Sequence, residues 1–183
     1  KLKREIKQLE KELKTVERNE ETQYNILCQI GLEGKYQNWS FERIEKNIEN
    51  ILKSINENNG DILDIYYLED NNKVIGVVFS LSGNDNILKF KEENNITSKT
   101  NKIAQLSCFH IIKDYRGIGS KWLKDEVLKD LKNEGIEEVY IKSSHNKVLN
   151  LYDRIGTKIG NYISISDNEL YQRYGYIYKI DLV

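Results

Sequence analysis

The sequence predicts a mixed α/β fold: a central, mostly antiparallel sheet of about six strands flanked by helices, with an extra amino-terminal helix. Three patterns carry this. Apolar runs with strand-like alternation come in adjacent pairs, 62–68 with 73–81 and 159–165 with 174–182, and read as antiparallel hairpins. A strand–helix–strand succession over 103–142 needs a crossover connection, which places one parallel pair in the same sheet. Before residue 60 the apolar period is helical instead.

In order along the chain, residues 1–30 read as a helix because Leu2, Ile6, Leu9, Leu13 and Val16 recur at steps of three and four with Lys and Glu between them. That stripe fits a coiled-coil seam in a homodimer or packing on its own domain; its shortness favours the second. Gly31-Leu32-Glu33-Gly34 breaks the helix. Ser40 then caps a second one, with Phe41, Ile44, Ile48, Ile51, Leu52 and Ile55 on one face, ending at Asn58-Asn59-Gly60. The hairpin 62–81 turns at Glu69-Asp70-Asn71-Asn72, and Gly76 inside its second run predicts a bulge or a close approach. Residues 83–101 are polar and read as a connection or binding loop. A strand over 103–112 follows. A helix from Ser120 carries Trp122, Leu123, Val127, Leu128 and Leu131 inward and is capped by Gly135. A strand at 139–142, a short helix over 145–154 and the closing hairpin complete the series.

Composition removes several classes of function. With 183 residues the chain suits one domain with a real core. Lys and Arg total 28 against 29 Asp and Glu, so no net basic field points to nucleic acid. The cysteines Cys28 and Cys108 and the histidines His110 and His145 lack metal-ligand spacing, which argues against a metal site or a disulfide framework. No apolar run is long enough to span a membrane and the first residues do not resemble a signal peptide, so a cytoplasmic protein without a membrane partner is expected.

The chemistry is concentrated in Asp114-Tyr115-Arg116-Gly117-Ile118-Gly119-Ser120, where a strand-like run meets two glycines and a helix begins at once. Glycines let backbone approach an anion, a helix N-terminus offers unpaired amides, and Arg116 can add charge-assisted bonds. A second segment, His145-Asn146-Lys147-Val148-Leu149-Asn150-Leu151-Tyr152-Asp153-Arg154-Ile155-Gly156, follows the next strand.

In this order, the two segments resemble the GNAT superfamily of acyl-CoA-dependent N-acetyltransferases, over roughly residues 40–182. The first is similar to that family's Arg/Gln-x-x-Gly-x-Gly/Ala loop, and the second to its Asn-x-x-Ala-x-x-Leu-Tyr-x-x-x-Gly-Phe segment. Asp114 stands where the family has Arg or Gln, which predicts weakened but not abolished anion binding; His145 replaces the Asn and Thr157 the Phe. The resemblance implies a single domain over 1–183, with the amino-terminal helix at 1–30, an acceptor-side half at 31–101 and a CoA-binding half at 102–183. It implies acetyl-CoA as co-substrate without a metal. Tyr115, Arg116, Gly117, Ile118, Gly119, Ser120 and His145 would hold CoA, and the Ile111 main chain would pair with its pantetheine arm.

The reaction implied is direct attack of a primary amine, on a small molecule or a peptide, on the thioester. The Phe109 backbone amide would stabilise the oxyanion and Tyr152 would protonate the departing thiolate. Where many relatives carry a Glu base, counting back in steps of two from Ile111 reaches Gln105, which can orient a water but not accept the proton. With unbroken alternation, His110 and Cys108 lie on the other face of that strand. His110 is then either a general base or a packed, hydrogen-bonded residue, and packing is favoured. The Asn, Glu and Asp of 31–60 and 83–101 would suit a cationic acceptor such as a polyamine, an aminoglycoside or a lysine, and a solvated surface explains them as well. The alternative is an acyl-CoA-binding regulatory or interaction module without efficient turnover.

Overall fold

The computed structural model describes residues 62–165 and 171–183; the elements expected within residues 1–61, including the amino-terminal helix, the seam and Cys28, lie outside them. The described residues form one six-stranded sheet in the order β1-β2-β3-β4-β6-β5, with β1 Ile62–Asp70, β2 Lys73–Ser82, β3 Ile103–Ile111, β4 Glu138–Ser143, β5 Thr157–Ile165 and β6 Gln172–Asp181. Every neighbouring pair is antiparallel except β3 with β4, the parallel pair that the crossover demands. The first hairpin is tighter than its four polar residues suggested. Asn71 and Asn72 alone make the turn, both at positive φ (49° and 63°), as a two-residue turn matching the strand twist requires.

Residues 84–93, expected to be part of a polar connection, instead form helix α1, Asn84–Glu93. Its Ile87 and Phe90 are buried against Ile103 and Tyr140, so two well-placed apolar anchors override a segment rich in Asn and Lys. Helix α2 runs over 119–133, with a π-helical turn at Leu123–Val127, and α3 is Asn146–Ile155. Both cover the opposite face of the sheet, where Trp122, Leu123, Val127, Leu128 and Leu131 of α2 and Tyr152 of α3 meet Val78, Ala104, Leu106, Val139, Ile141, Tyr178 and Ile180. Tyr66 of β1 donates a hydrogen bond to Asp130 of α2 (2.9 Å). Gly135, at φ +91°, ends α2 as expected.

Strand β3 departs from regular alternation. Its pairing with β2 runs Leu81↔Gln105, Ser80↔Leu106, Phe79↔Ser107, then jumps to Val77↔His110 and Gly76↔Ile111. Cys108 and Phe109 therefore oppose Val78 alone, a β-bulge with one extra residue on β3. Ala104 and Leu106 face the α2–α3 core before the bulge, and Phe109 and Ile111 pack on that same core after it. The unbroken alternation assumed from sequence is thus corrected: Gln105 and Ile111 lie on opposite faces, and His110 shares the α1 face with Gln105. A second bulge, at Ile75 of β2, sits beside Gly76, where a Cβ would come within 2.5 Å of the Ile111 side chain, so this glycine marks both a bulge and a close approach.

Candidate active site

Four pairs, from Ile103↔Glu138 to Leu106↔Ile141, make up the β3–β4 ladder. Beyond Leu106 the two strands part: residues 107–111 of β3 pair with β2 alone, while Lys142 and Ser143 of β4 pair with β6. Between the parted strands opens a cleft of about 890 Å³, floored by Val78, Leu106, Phe109, Ile111 and Ile141 and walled by the start of α2 and by α3. Parallel strands that diverge leave main-chain groups without a ladder partner, and an extended ligand can take that place.

At the mouth of the cleft lie Arg116, Gly117, Gly119 and Ser120. A short 3₁₀ turn, Lys113–Tyr115, carries the chain out of β3, and α2 starts directly after it. The earliest amide of this helix with a backbone partner among the described residues is Trp122 N–H, bonded to Ile118 O (3.0 Å), so the amides before it remain as donors at the positive end of the helix. The two glycines serve different ends. Gly117 has φ +111° and nothing within 4 Å of where a Cβ would sit, so the main chain bends there and stays open to a ligand. A Cβ on Gly119 would lie 2.9 Å from Ile111 Cγ1 and 3.0 Å from Phe109 Cζ, so this glycine seats the helix start on the bulged half of β3. The Phe109 ring in turn meets Trp122 at 6.2 Å.

On the other wall, α3 directs Tyr152 into the cleft from a site 3% exposed. Its ring packs 5.5 Å from that of Tyr178, whose hydroxyl donates to Asp153 Oδ1 (3.0 Å). Burial, with a smaller contribution from Tyr178, pushes the Tyr152 phenol well above its ordinary value, so it stays protonated at neutral pH. His145 stands at the N-cap of α3 with Arg173 Nη1 3.5 Å from its Nδ1, and both line the cleft.

Of the residues singled out from sequence, the cleft gathers Tyr152, Phe109, His110, Ile111, Arg116, Gly117, Gly119, Ser120 and His145. Three others lie outside its lining. Gln105 is held within the sheet between Leu81 and Tyr140, and Ile118 is 44% exposed. The Tyr115 hydroxyl donates to Asp70 Oδ2 (2.5 Å), pinning the glycine turn to the β1–β2 hairpin and raising the phenol above its ordinary value through that bond. Asp114 is exposed and likewise outside the lining.

Sequence reading missed the basic character of the lining. Five basic side chains, Arg116, Lys142, Lys147, Arg154 and Arg173, face the cleft, and among the described residues no Asp or Glu does. Overall the chain has a net charge of −1, so this is a local segregation that a count over the whole sequence averages away. Among the described residues no group of His, Cys, Asp or Glu could hold a metal, and no helix is long and apolar enough to cross a membrane.

No protein-family model matches the chain, and no curated protein matches it. Solved structures do share its architecture. A protein assigned to the GNAT family of acetyltransferases from Desulfovibrio desulfuricans superposes with a TM-score of 0.57 at 11% identity, covering 87% of this chain and 92% of that one. The fold is that of the GNAT acetyltransferases. Aminoglycoside 6′-acetyltransferase type Ii follows the same GNAT path with a TM-score of 0.56 at 12% identity, covering 91% of this chain and 94% of its own. An N-acetyltransferase from Staphylococcus aureus Mu50 gives 0.53 at 14% identity, over 76% and 78% of the two chains.

Proposed function

We propose that the protein is an acetyl-CoA-dependent N-acetyltransferase acting by direct attack of an amine. The observation that carries this reading is the splay of β3 from β4, with the glycine turn and the start of α2 at one end and the protonated Tyr152 beside it. The residues present fit the co-substrate. Its diphosphate would sit on the amides following Gly117, beside Arg116 and Ser120, where the absence of a Cβ leaves room. Its pantetheine arm would lie along Phe109 and Ile111 in the place a paired strand would take.

The neutral amine would approach from the α1 face and form a bond to the thioester carbonyl carbon. Negative charge then builds on the carbonyl oxygen, which the Phe109 N–H in the bulge would stabilise. The carbon–sulfur bond breaks as the carbonyl re-forms, and Tyr152 would supply the proton that makes the leaving sulfur a thiol. The nitrogen loses its extra proton on the α1 face, where His110 lines the opening and Gln105 lies two steps further in, beyond Ser107; His110 is therefore the better placed acceptor and Gln105 at most orients water.

Thermal-shift titration with CoA and acetyl-CoA, followed by thiol release on a panel of amines, tests this reading. Stabilisation by both ligands and amine-dependent thiol release are expected. An unchanged melting temperature would sink the proposal, and stabilisation without release on any amine would leave an acyl-CoA-binding module in its place.

A further inference from the structure

The turn that would receive the diphosphate does not hold its own shape with its amides. Among the described residues none of the N–H groups from Gly117 to Lys121 is bonded to the backbone, and Trp122 N–H is the first that is. Amides left for a ligand do not fix the chain that carries them, so the turn depends on anchors at its two ends. Downstream, Gly119 is seated against Ile111 and Phe109. Upstream, Tyr115 ends the 3₁₀ turn directly before Arg116-Gly117, and its hydroxyl reaches across to Asp70 Oδ2, 45 residues away in the chain.

Asp70 stands on a part of the sheet that is itself well braced. It closes β1 opposite Lys73, with the positive-φ pair Asn71-Asn72 as the turn between them. Next on β2, the carbonyl of the bulged Ile75 accepts a hydrogen bond from Ile112 N–H at the exit of β3 (2.9 Å), and Gly76 leaves room for the Ile111 side chain. The hairpin tip and the end of β3 are thereby joined, and the Tyr115 bond carries that frame past the strand to the edge of the anion turn. Neither Asp70 nor Tyr115 lines the cleft.

We infer that Tyr115 and Asp70 are a positioning pair for the anion turn: their hydrogen bond sets the direction in which the chain enters Arg116-Gly117 and so orders the amides before CoA arrives. This rests on the acetyl-transfer reading and gives Tyr115 a role other than the direct contact expected of it. A charge-assisted O–H to carboxylate bond is strong enough for the task, and ordering the turn in advance lowers the entropy cost of binding. Charge does not explain Asp70, because a carboxylate beside a diphosphate site opposes the ligand. A neutral acceptor at this position should serve as well or better.

Calorimetric titration with CoA of Tyr115→Phe, Asp70→Ala, the double variant and Asp70→Asn tests the pair, with circular dichroism confirming that each is folded. Tyr115→Phe and Asp70→Ala should each raise the Kd for CoA about tenfold, as loss of a hydrogen bond to a charged group predicts. The double variant should lose no more than either single one, because both remove the same bond. Asp70→Asn keeps an acceptor oxygen and should bind CoA at least as tightly as the unaltered protein. In turnover, the loss should fall on the KM for acetyl-CoA rather than on kcat. A Kd within twofold of the unaltered value in Tyr115→Phe overturns the inference, as do losses that add in the double variant or an Asp70→Asn no better than Asp70→Ala. Should Asp70→Ala fail to fold, Tyr115→Phe, which keeps the ring, and Asp70→Asn decide by the same criteria. Equal CoA binding by all the variants overturns the pair alone and leaves acetyl transfer standing, whereas an unaltered protein that takes up no CoA removes the reading beneath it.

Discussion

The two halves of β3 differ in every respect that matters for function. Residues 103–106 all pair with β4, Gln105 and Leu106 pair with β2 as well, and Ile103, Ala104 and Leu106 are buried. Residues 107–111 keep β2, lose β4 and contain the bulge, and Phe109 and Ile111 are only partly buried. The first half holds the sheet together; the second has no strand partner on its β4 side. One extra residue at Cys108-Phe109 separates the two roles, because it lets the strand bend away from β4 while Phe109 and Ile111 still reach the core that Leu106 reaches.

The harshest way to break that comparison is to delete Cys108. Without the extra residue the register becomes continuous and Phe109 and Ile111 turn from the α2–α3 core to the other face. Loss of the cooperative thermal transition in circular dichroism is expected; a melt like that of the unaltered protein would show that the bulge is dispensable.

Next in size is Tyr152→Phe, which keeps the buried ring and removes the proposed proton donor. We expect kcat to fall by roughly 10²-fold with little change in the acetyl-CoA KM. The sign of the pH effect follows from burial. Since the folded phenol titrates above its ordinary value of 10, its contribution to stability is complete below pH 10 and is lost as pH rises toward the folded value. Alkaline unfolding should therefore be shallower in Tyr152→Phe, and an unchanged pH profile would show that this phenol is not protected.

A finer division lies between the two glycines. In Gly119→Val the added methyl groups meet Ile111 and Phe109, which should cost about 1–3 kcal/mol of stability and also weaken CoA. Gly117→Ala meets nothing but must hold φ +111°, which should cost about 1–2 kcal/mol, with CoA affinity reduced further by the methyl group at the anion site. Chemical denaturation paired with CoA titration separates these effects; equal losses in both variants would mean that the glycines share one role.

Much of this arrangement could be read locally. The Asn-Asn turn, the glycine turn and the period of α2 depend on neighbours within a few residues, and so their signals survive in the sequence. Helix α1 was missed because its stability comes from two apolar side chains docking on Tyr140 and Ile103, contacts that no window of sequence contains. The bulge was missed for the related reason that it is a relation between strands: Ser107-Cys108-Phe109-His110 carries no glycine or other mark, and only the pairing with β2 shows that the alternation slips.

The sequence by itself determined which chemical groups are present and in what order, and with them the strand–turn–helix unit around Gly117 and the tyrosine that follows it, since backbone preferences and apolar periods act over short distances. The tertiary structure decided which faces these groups share. Gln105 was parted from Ile111, His110 was brought to the α1 face, Tyr115 was given to Asp70, and five scattered basic residues were collected around one cleft. The physical reason is that facing and charge segregation arise from strand register and from packing across the sheet, and both are fixed by residues far apart in the chain.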